Sequence, residues 1–291
     1  MQTRIIGGVT VSAIGLGAMP LSSIGTVPEE RALETIHAAL DAGVTLIDTA
    51  DAYAPTAAEF GHNERLVGRA LRSRGGDVSD VLVATKGGHT RPSGNEWGQD
   101  GRPEYLKEAA RASAQRLGVE SIGLYQYHRP DPKVPYEDSI GALRDLLDEG
   151  VIRMAGISNA NPEQIRLAND ILGGRLASVQ NQFSPAFRSS LPELELCAEL
   201  GIAFLPWSPL GGIGKAADLG STFAPFQVFA ESYGATPQRI ALAWELALAP
   251  VVIPIPGASR PETIRDSALA VELDLGRDAV TQLSEESSRV P

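Results

Sequence analysis

The chain has 291 residues, of which 43% are hydrophobic and 21% charged, so a disordered chain is excluded and a large core is affordable in material. Acidic residues outnumber basic ones by 36 to 25, and the net charge of -11 argues against nucleic acid or anionic lipid as the main partner. The single cysteine, Cys197, excludes an internal disulfide framework and a Cys-rich metal site, and fits a cytoplasmic protein.

In chain order, Arg4-Ile5-Ile6, a Gly7-Gly8 turn and Val9-Thr10-Val11 read as a small hairpin. A strand follows at Ala13 to Gly17. The glycines of 5–20 also break what would otherwise resemble a weak export signal. Pro28 at a helix start, Glu29 and Glu30 in its first turn, and Leu33, Ile36 and Leu40 on one face predict a helix ended by Gly43. The unit then recurs, with apolar runs starting near Ala13, Val44, Val81, Ile122, Val151, Ala177, Ile202 and Val251, spaced 25 to 49 residues apart. Gly118, Gly150, Gly173 and Gly201 mark helix ends before the next run. The apolar stretch 247–258 is too short to span a bilayer and holds Pro250, Pro254 and Pro256.

Eight strand-and-helix units without a run of hairpins predict parallel pairing, and their number and even spacing favour a (β/α)8 TIM barrel over a doubly wound sheet. No low-complexity linker divides the chain, so one domain over 1–291 is expected. The longest interruptions, 87–102 and 210–223, are Gly-, Pro- and polar-rich loops. The GLGAMP segment is not a Rossmann phosphate loop, because Pro20 stands where the last glycine of that fingerprint would be.

Barrel chemistry sits at the C-terminal ends of the strands, so the polar residues ending the apolar runs are the candidates. They include Asp48 with Asp51 and Tyr53, Lys86, His128, Ser158 with Asn159, Gln180 with Asn181, and Ser208. A lysine beside a tyrosine is expected to lower the phenol's pKa and ease its proton donation. Asp48 would keep that ammonium charged, and His128 would hold a carbonyl oxygen. Together they suit carbonyl reduction. Asp51 reads as local turn structure, and His37, His62 and His89 carry no special signal.

At this point the sequence resembles the aldo-keto reductase superfamily over nearly its whole length. The motifs are IGLGAMP at 14–20, LIDTADAY at 46–53, ATKGG at 84–88, YHRPDP at 127–132, GISN at 156–159, QNQFSP at 180–185, PWSPLGG at 206–212 and PIPGASRPE at 254–262. The resemblance implies a barrel with an N-terminal β-hairpin closing its base, and an extended nicotinamide cofactor, usually NADPH, with NADH not excluded. It casts Tyr53 as general acid, Lys86 and Asp48 as its tuning pair, and His128 as the carbonyl-orienting residue. It assigns Ser158, Asn159 and Gln180 to the nicotinamide carboxamide, Trp207 to the ring face, and Gly17, Ala18 and Met19 to the backbone beside it. Ser208, Leu210 and Gly212 fall on the pyrophosphate segment, and Gly257, Ser259 and Arg260 on the adenosine 2'-phosphate site. Thr263 and Asp266-Ser267 depart from the family's usual residues there. Substrate choice would lie in the loop containing Trp97, in 211–226 and in the C-terminal tail.

The expected partner is a small-molecule carbonyl substrate, with no nucleic acid, membrane or metal, in a monomer or homo-oligomer. Two other readings remain open: a Schiff-base lyase using Lys86, and a non-catalytic NADP(H)-binding sensor or scaffold of the same fold.

Overall fold

A computed structural model describes residues 1–23, 27–93, 96–212 and 214–287. Strands β1 (Thr3–Ile6) and β2 (Val9–Ser12) form the predicted antiparallel hairpin, with Gly7 at φ 52° in its turn. The barrel strands are β3 (Leu16–Gly17), β4 (Leu46–Asp48) and β5 (Leu82–Gly87). A second small hairpin, β6 (His89–Thr90) with β7 (Gly98–Gln99), rises from the first long loop. The barrel continues with β8 (Ile122–Tyr127), β9 (Ile152–Ser158), β10 (Leu176–Gln180) and β11 (Ala203–Phe204). The seven barrel strands pair in parallel in the order β3-β4-β5-β8-β9-β10-β11.

The eighth stave, 251–257, closes the ring without being the regular strand expected at Val251. Ile253 and Ile255 donate backbone N–H groups to Phe204 and Pro206 at 2.9 and 3.2 Å. On the other side, the Pro254 and Pro256 carbonyls accept from Gly15 and Gly17, each at 2.9 Å. The two prolines have no N–H to return, so the ladder towards β3 is half-made. Glycine is needed at position 17: a Cβ there would lie 2.7 Å from the Ile255 carbonyl oxygen.

The outer layer contains α1 (Glu29–Asp41), α2 (His62–Arg74), α3 (Pro103–Leu117), α4 (Tyr136–Asp148), α5 (Pro162–Ile171) and α6 (Leu191–Leu200). After β11 come α7 (Leu219–Thr222), α8 (Ala224–Tyr233), α9 (Pro237–Leu248), α10 (Pro261–Ala268) and α11 (Gly276–Ser287). Neighbouring helices from α1 to α6 pack in sequence, and α1 also packs on α10, closing the helical ring. Among the described residues no helix is long and apolar enough to cross a membrane.

Side chains alternate along a strand, so every second residue enters the barrel. The buried interior cluster holds Leu46, Leu82, Ala84, Leu124, Met154, Ala203, Leu205, Ile253 and Ile255, together with Ile6 and Val11 of the hairpin. The hairpin therefore plugs the floor of the barrel. Burying each such Ile or Leu contributes about 1.5–3 kcal/mol.

Candidate active site

The alternation that fills the floor also builds the mouth. One step of two residues beyond Leu46 is Asp48; beyond Ala84, Lys86; beyond Leu124, Gln126 and then His128. Each strand thus enters apolar and leaves polar. Lys86, with 0% exposure, is the hub. Its Nζ donates to Asp48 Oδ1 at 2.5 Å, to the Thr49 carbonyl at 2.9 Å and to Tyr53 Oη at 3.1 Å. The other oxygen of Asp48, Oδ2, accepts from Gln180 Nε2 at 2.8 Å and Gln126 Nε2 at 3.4 Å. Tyr53 comes from the loop after β4, whose backbone is tied down when Asp51 N–H donates to the Lys86 carbonyl and Gly61 N–H donates to the Asp51 carbonyl.

These contacts fix the protonation states. Burial pulls the Lys86 ammonium down, but Asp48 and Tyr53 outweigh it and leave the group raised, hence charged. For Tyr53 the outcome is opposite to the expected acidification. Burial pushes the phenol up; Lys86 pulls it down, while Asp48 and Asp51 push it up, and the net shift is upward. A nearly buried phenolate loses more hydration than one ammonium, itself shared with a carboxylate, can return. Tyr53 is therefore a neutral acid at physiological pH. Asp51 is itself buried, and burial together with Glu64 drives its carboxyl well above the usual range.

Burial, then Lys86, His89 and Arg129, hold His128 well below the ordinary imidazole range, so it is neutral. Its Nδ1 is buried without a partner among the described residues, which leaves Nε2 as the nitrogen open to the cavity. The His128 ring meets Tyr53 edge-on at 5.7 Å between centroids and His89 at 4.3 Å. His89, which carried no signal in the sequence, is thus part of the wall. Its Nδ1 lies 3.0 Å from the Gly98 carbonyl, and its ring lies 5.3 Å from Trp97, so the β6–β7 hairpin holds both rings at the mouth.

A cavity of about 800 Å³ opens here. Its wall includes Asp48, Tyr53, His128, Gly17, Met19, Ser158, Asn159, Gln180, Trp207, Ser208, Leu210, Gly212, Gly257 and Ser259. Of the expected site residues, Ala18, Lys86 and Arg260 are off the wall. Ala18 and Lys86 are fully buried behind it. Arg260 is exposed at the start of α10, and its Nε donates to Thr263 Oγ1 at 3.1 Å. Asp266 faces away from the cavity, accepting from Thr236 Oγ1 at 2.6 Å and pairing with Arg239. Sequence reasoning missed Val27, His89 and Arg129 on the wall. The Trp97 loop and the 211–226 segment both reach it as expected, whereas the described part of the tail, α11, packs on α8 and α9.

Two further features mark the wall, strained backbone and free amide acceptors. Asn159 at φ 58° and Ser208 at φ 53° are the only non-glycine residues with left-handed backbone among the described residues, and both line the cavity. Asn159 Nδ2 donates to the His128 carbonyl and to Ser158 Oγ, and Gln180 Nε2 is spent on Asp48. Among the described residues their amide oxygens accept no hydrogen bond.

Comparison with known proteins agrees with this geometry. The description of the Aldo/keto reductase family matches residues 13–287. An oxidoreductase of Schizosaccharomyces pombe is 34% identical over 285 residues, covering 97% of this chain and 88% of its own. The glycerol dehydrogenase AKR11B4 from Gluconobacter oxydans superposes with a TM-score of 0.84 at 27% identity, covering 99% of this chain and 95% of that one. An aldo/keto reductase from Klebsiella pneumoniae, solved in complex with NADP and acetate, gives 0.79 at 25% identity, covering 97% and 94%. The chain belongs to the aldo/keto reductase family, whose members are oxidoreductases acting on small carbonyl compounds.

Proposed function

We propose that this protein is an NADP-dependent reductase that converts an aldehyde or ketone to an alcohol, acting in the cytoplasm through a single barrel domain spanning 1–291. The observation that carries the reading is the charged Lys86 bonded at once to Asp48 and Tyr53, with neutral His128 beside the phenol.

The cavity fits a nicotinamide cofactor. The free amide oxygens of Asn159 and Gln180 suit a carboxamide NH2, Trp207 offers an aromatic face, and Gly212 and Gly257 leave room for an extended ligand. The Klebsiella pneumoniae relative's NADP supports the same choice. NADPH over NADH rests on Arg260, whose exposed guanidinium, next to Ser259 on the cavity wall, could pair with a 2'-phosphate. When bound, the reduced nicotinamide supplies hydride.

The chain's own residues do the rest. His128 Nε2–H donates a hydrogen bond to the carbonyl oxygen and orients it against Tyr53. The Tyr53 proton passes to that oxygen as negative charge gathers there, and an alkoxide is basic enough to take it from an unactivated phenol. Lys86 then stabilises the phenolate left behind. The Schiff-base alternative fares poorly, because a lysine with raised pKa and three acceptors has no lone pair to attack with.

The test is loss of NADPH absorbance over a panel of aldehydes and ketones, with NADH in parallel. Turnover with NADPH preferred is the expected result. Cofactor binding, followed by tryptophan fluorescence, with no turnover on any carbonyl would instead favour a sensor.

A further inference from the structure

The cavity wall divides into two arcs. Around the barrel the order β3-β4-β5-β8-β9-β10-β11 and the 251–257 stave sets the segments after β5 and β8 opposite those after β11 and 251–257. The second arc supplies Trp207, Ser208, Gly212, Gly257 and Ser259, the groups assigned above to the cofactor. The first arc supplies His89, Trp97, His128 and Arg129. It is therefore the side left for substrate.

Arg129 stands out on that arc. It lines the cavity half-buried, directly after His128, and makes no ion pair or hydrogen bond among the described residues. The carboxylates that could neutralise it are engaged elsewhere. Asp48 is held by Lys86 and Gln180. Asp131 accepts the backbone N–H groups of Gly101 and Lys133 at 3.0 and 2.9 Å. Asp100 pairs with Arg102 at 2.6 Å. Among the described residues lining the cavity Arg129 is the one lysine or arginine, and the one carboxylate there, Asp48, is paired with Lys86, on a chain whose net charge is -11. Its positive influence already reaches both neighbouring imidazoles. A guanidinium fork at a cavity wall, with no acceptor among the described residues, is a binding element for a planar or tetrahedral oxyanion.

We infer that the substrate is a carbonyl compound carrying an anionic group, a carboxylate or a phosphate, which Arg129 binds while His128 and Tyr53 engage the carbonyl. This rests on the reading of the site as a carbonyl reductase. Arg129 is on this account a specificity residue that recognises the part of the substrate remote from the reaction.

The test compares 4-carboxybenzaldehyde and 4-formylphenyl phosphate with the methyl ester of the first, in wild type, Arg129→Lys and Arg129→Gln. Wild type should favour at least one of the two anions over the ester, and the anion chosen separates carboxylate from phosphate. In Arg129→Gln that preference, as a ratio of kcat/KM, should fall about 10- to 100-fold, mostly through KM, with Arg129→Lys in between. Added salt should weaken the wild-type preference. Equal ratios in the three proteins would overturn the inference, as would a rise in the KM for NADPH with the ratio unmoved. Benzoate and phenyl phosphate binding, read by tryptophan fluorescence, provides an arm independent of turnover. Binding lost in Arg129→Gln while no aldehyde is reduced by any protein would retain anion recognition and reject the reductase reading. Binding unchanged in Arg129→Gln would overturn the inference itself.

Discussion

The floor and the mouth of this barrel are made by the same strands with the same alternation, yet their chemistry is opposite. At the floor, Ile6 and Val11 of the hairpin meet Leu46, Leu82, Leu124 and Met154 in one apolar cluster. Two to four residues further along, the same strands present Asp48, Lys86, Gln126 and Ser158, all buried. Apolar burial at the floor stabilises the fold directly. The mouth gains little net stability from its ion pair, because desolvation roughly offsets attraction. It also holds the strained backbones of Asn159 and Ser208, each costing on the order of 1–3 kcal/mol. The division of labour runs along the strand: stability below, chemistry above.

The sharpest way to break this division is to remove one oxygen from the mouth. Tyr53→Phe should lower kcat by about 10²- to 10⁴-fold, the usual contribution of a positioned acid, while leaving NADPH affinity and thermal stability close to wild type. Steady-state rates beside a cofactor titration and a melting curve decide it. Wild-type rates in the variant would remove Tyr53 from the proposed role.

Lys86→Met strikes both functions at once. It removes the cation that steadies the phenolate and leaves Asp48, 2% exposed, as a buried charge with only amide donors. Turnover should collapse, and stability should fall by about 3–5 kcal/mol. Adding Asp48→Asn should recover part of the stability and none of the activity. Urea unfolding of the single and double variants separates the two effects.

The floor offers the converse. Ile6→Ala should cost about 2–5 kcal/mol of stability with kcat unchanged, because the cavity it opens lies at the far end of the barrel. A comparable loss of kcat would mean that the hairpin positions the mouth, and that the two regions are not separable.

The sequence made one half of the site readable and hid the other. Asp48, Lys86, His128, Ser158 and Gln180 lie at the polar ends of apolar runs, so period-two alternation points to them. His89 sits in the two-residue strand β6, which no periodicity announces, and Arg129 lies just past the alternating run of β8, so neither was marked by the pattern. The direction of the Tyr53 shift was hidden for another reason. A neighbouring lysine can be read from residue types, but the depth of burial that overrides it is a property of the closed barrel. Arg260 shows the limit of motif carry-over: its position beside Ser259 was legible, and its exposed side chain off the cavity wall was not. The proline-rich eighth stave read as an apolar run, and its missing N–H donors explain why it closes the barrel without becoming a regular strand.

The finest test of the contrast is an effect expected to be nearly nil. An exposed imidazole titrates near pH ~6.5 and an exposed phenol near pH ~10. In the mouth, burial moves these two apart: His128 well down, Tyr53 up. Across pH ~6 to ~9 neither group should change its protonation state, so kcat for an uncharged aldehyde at saturating NADPH should stay level. Loss is expected only as pH climbs beyond the ordinary tyrosine range, where the proton to be donated begins to leave Tyr53. A break near pH ~6.5 that disappears in His128→Asn would show that the imidazole titrates as it does in water. The mouth would then be far wetter than its burial implies, and the contrast with the dry floor would shrink accordingly.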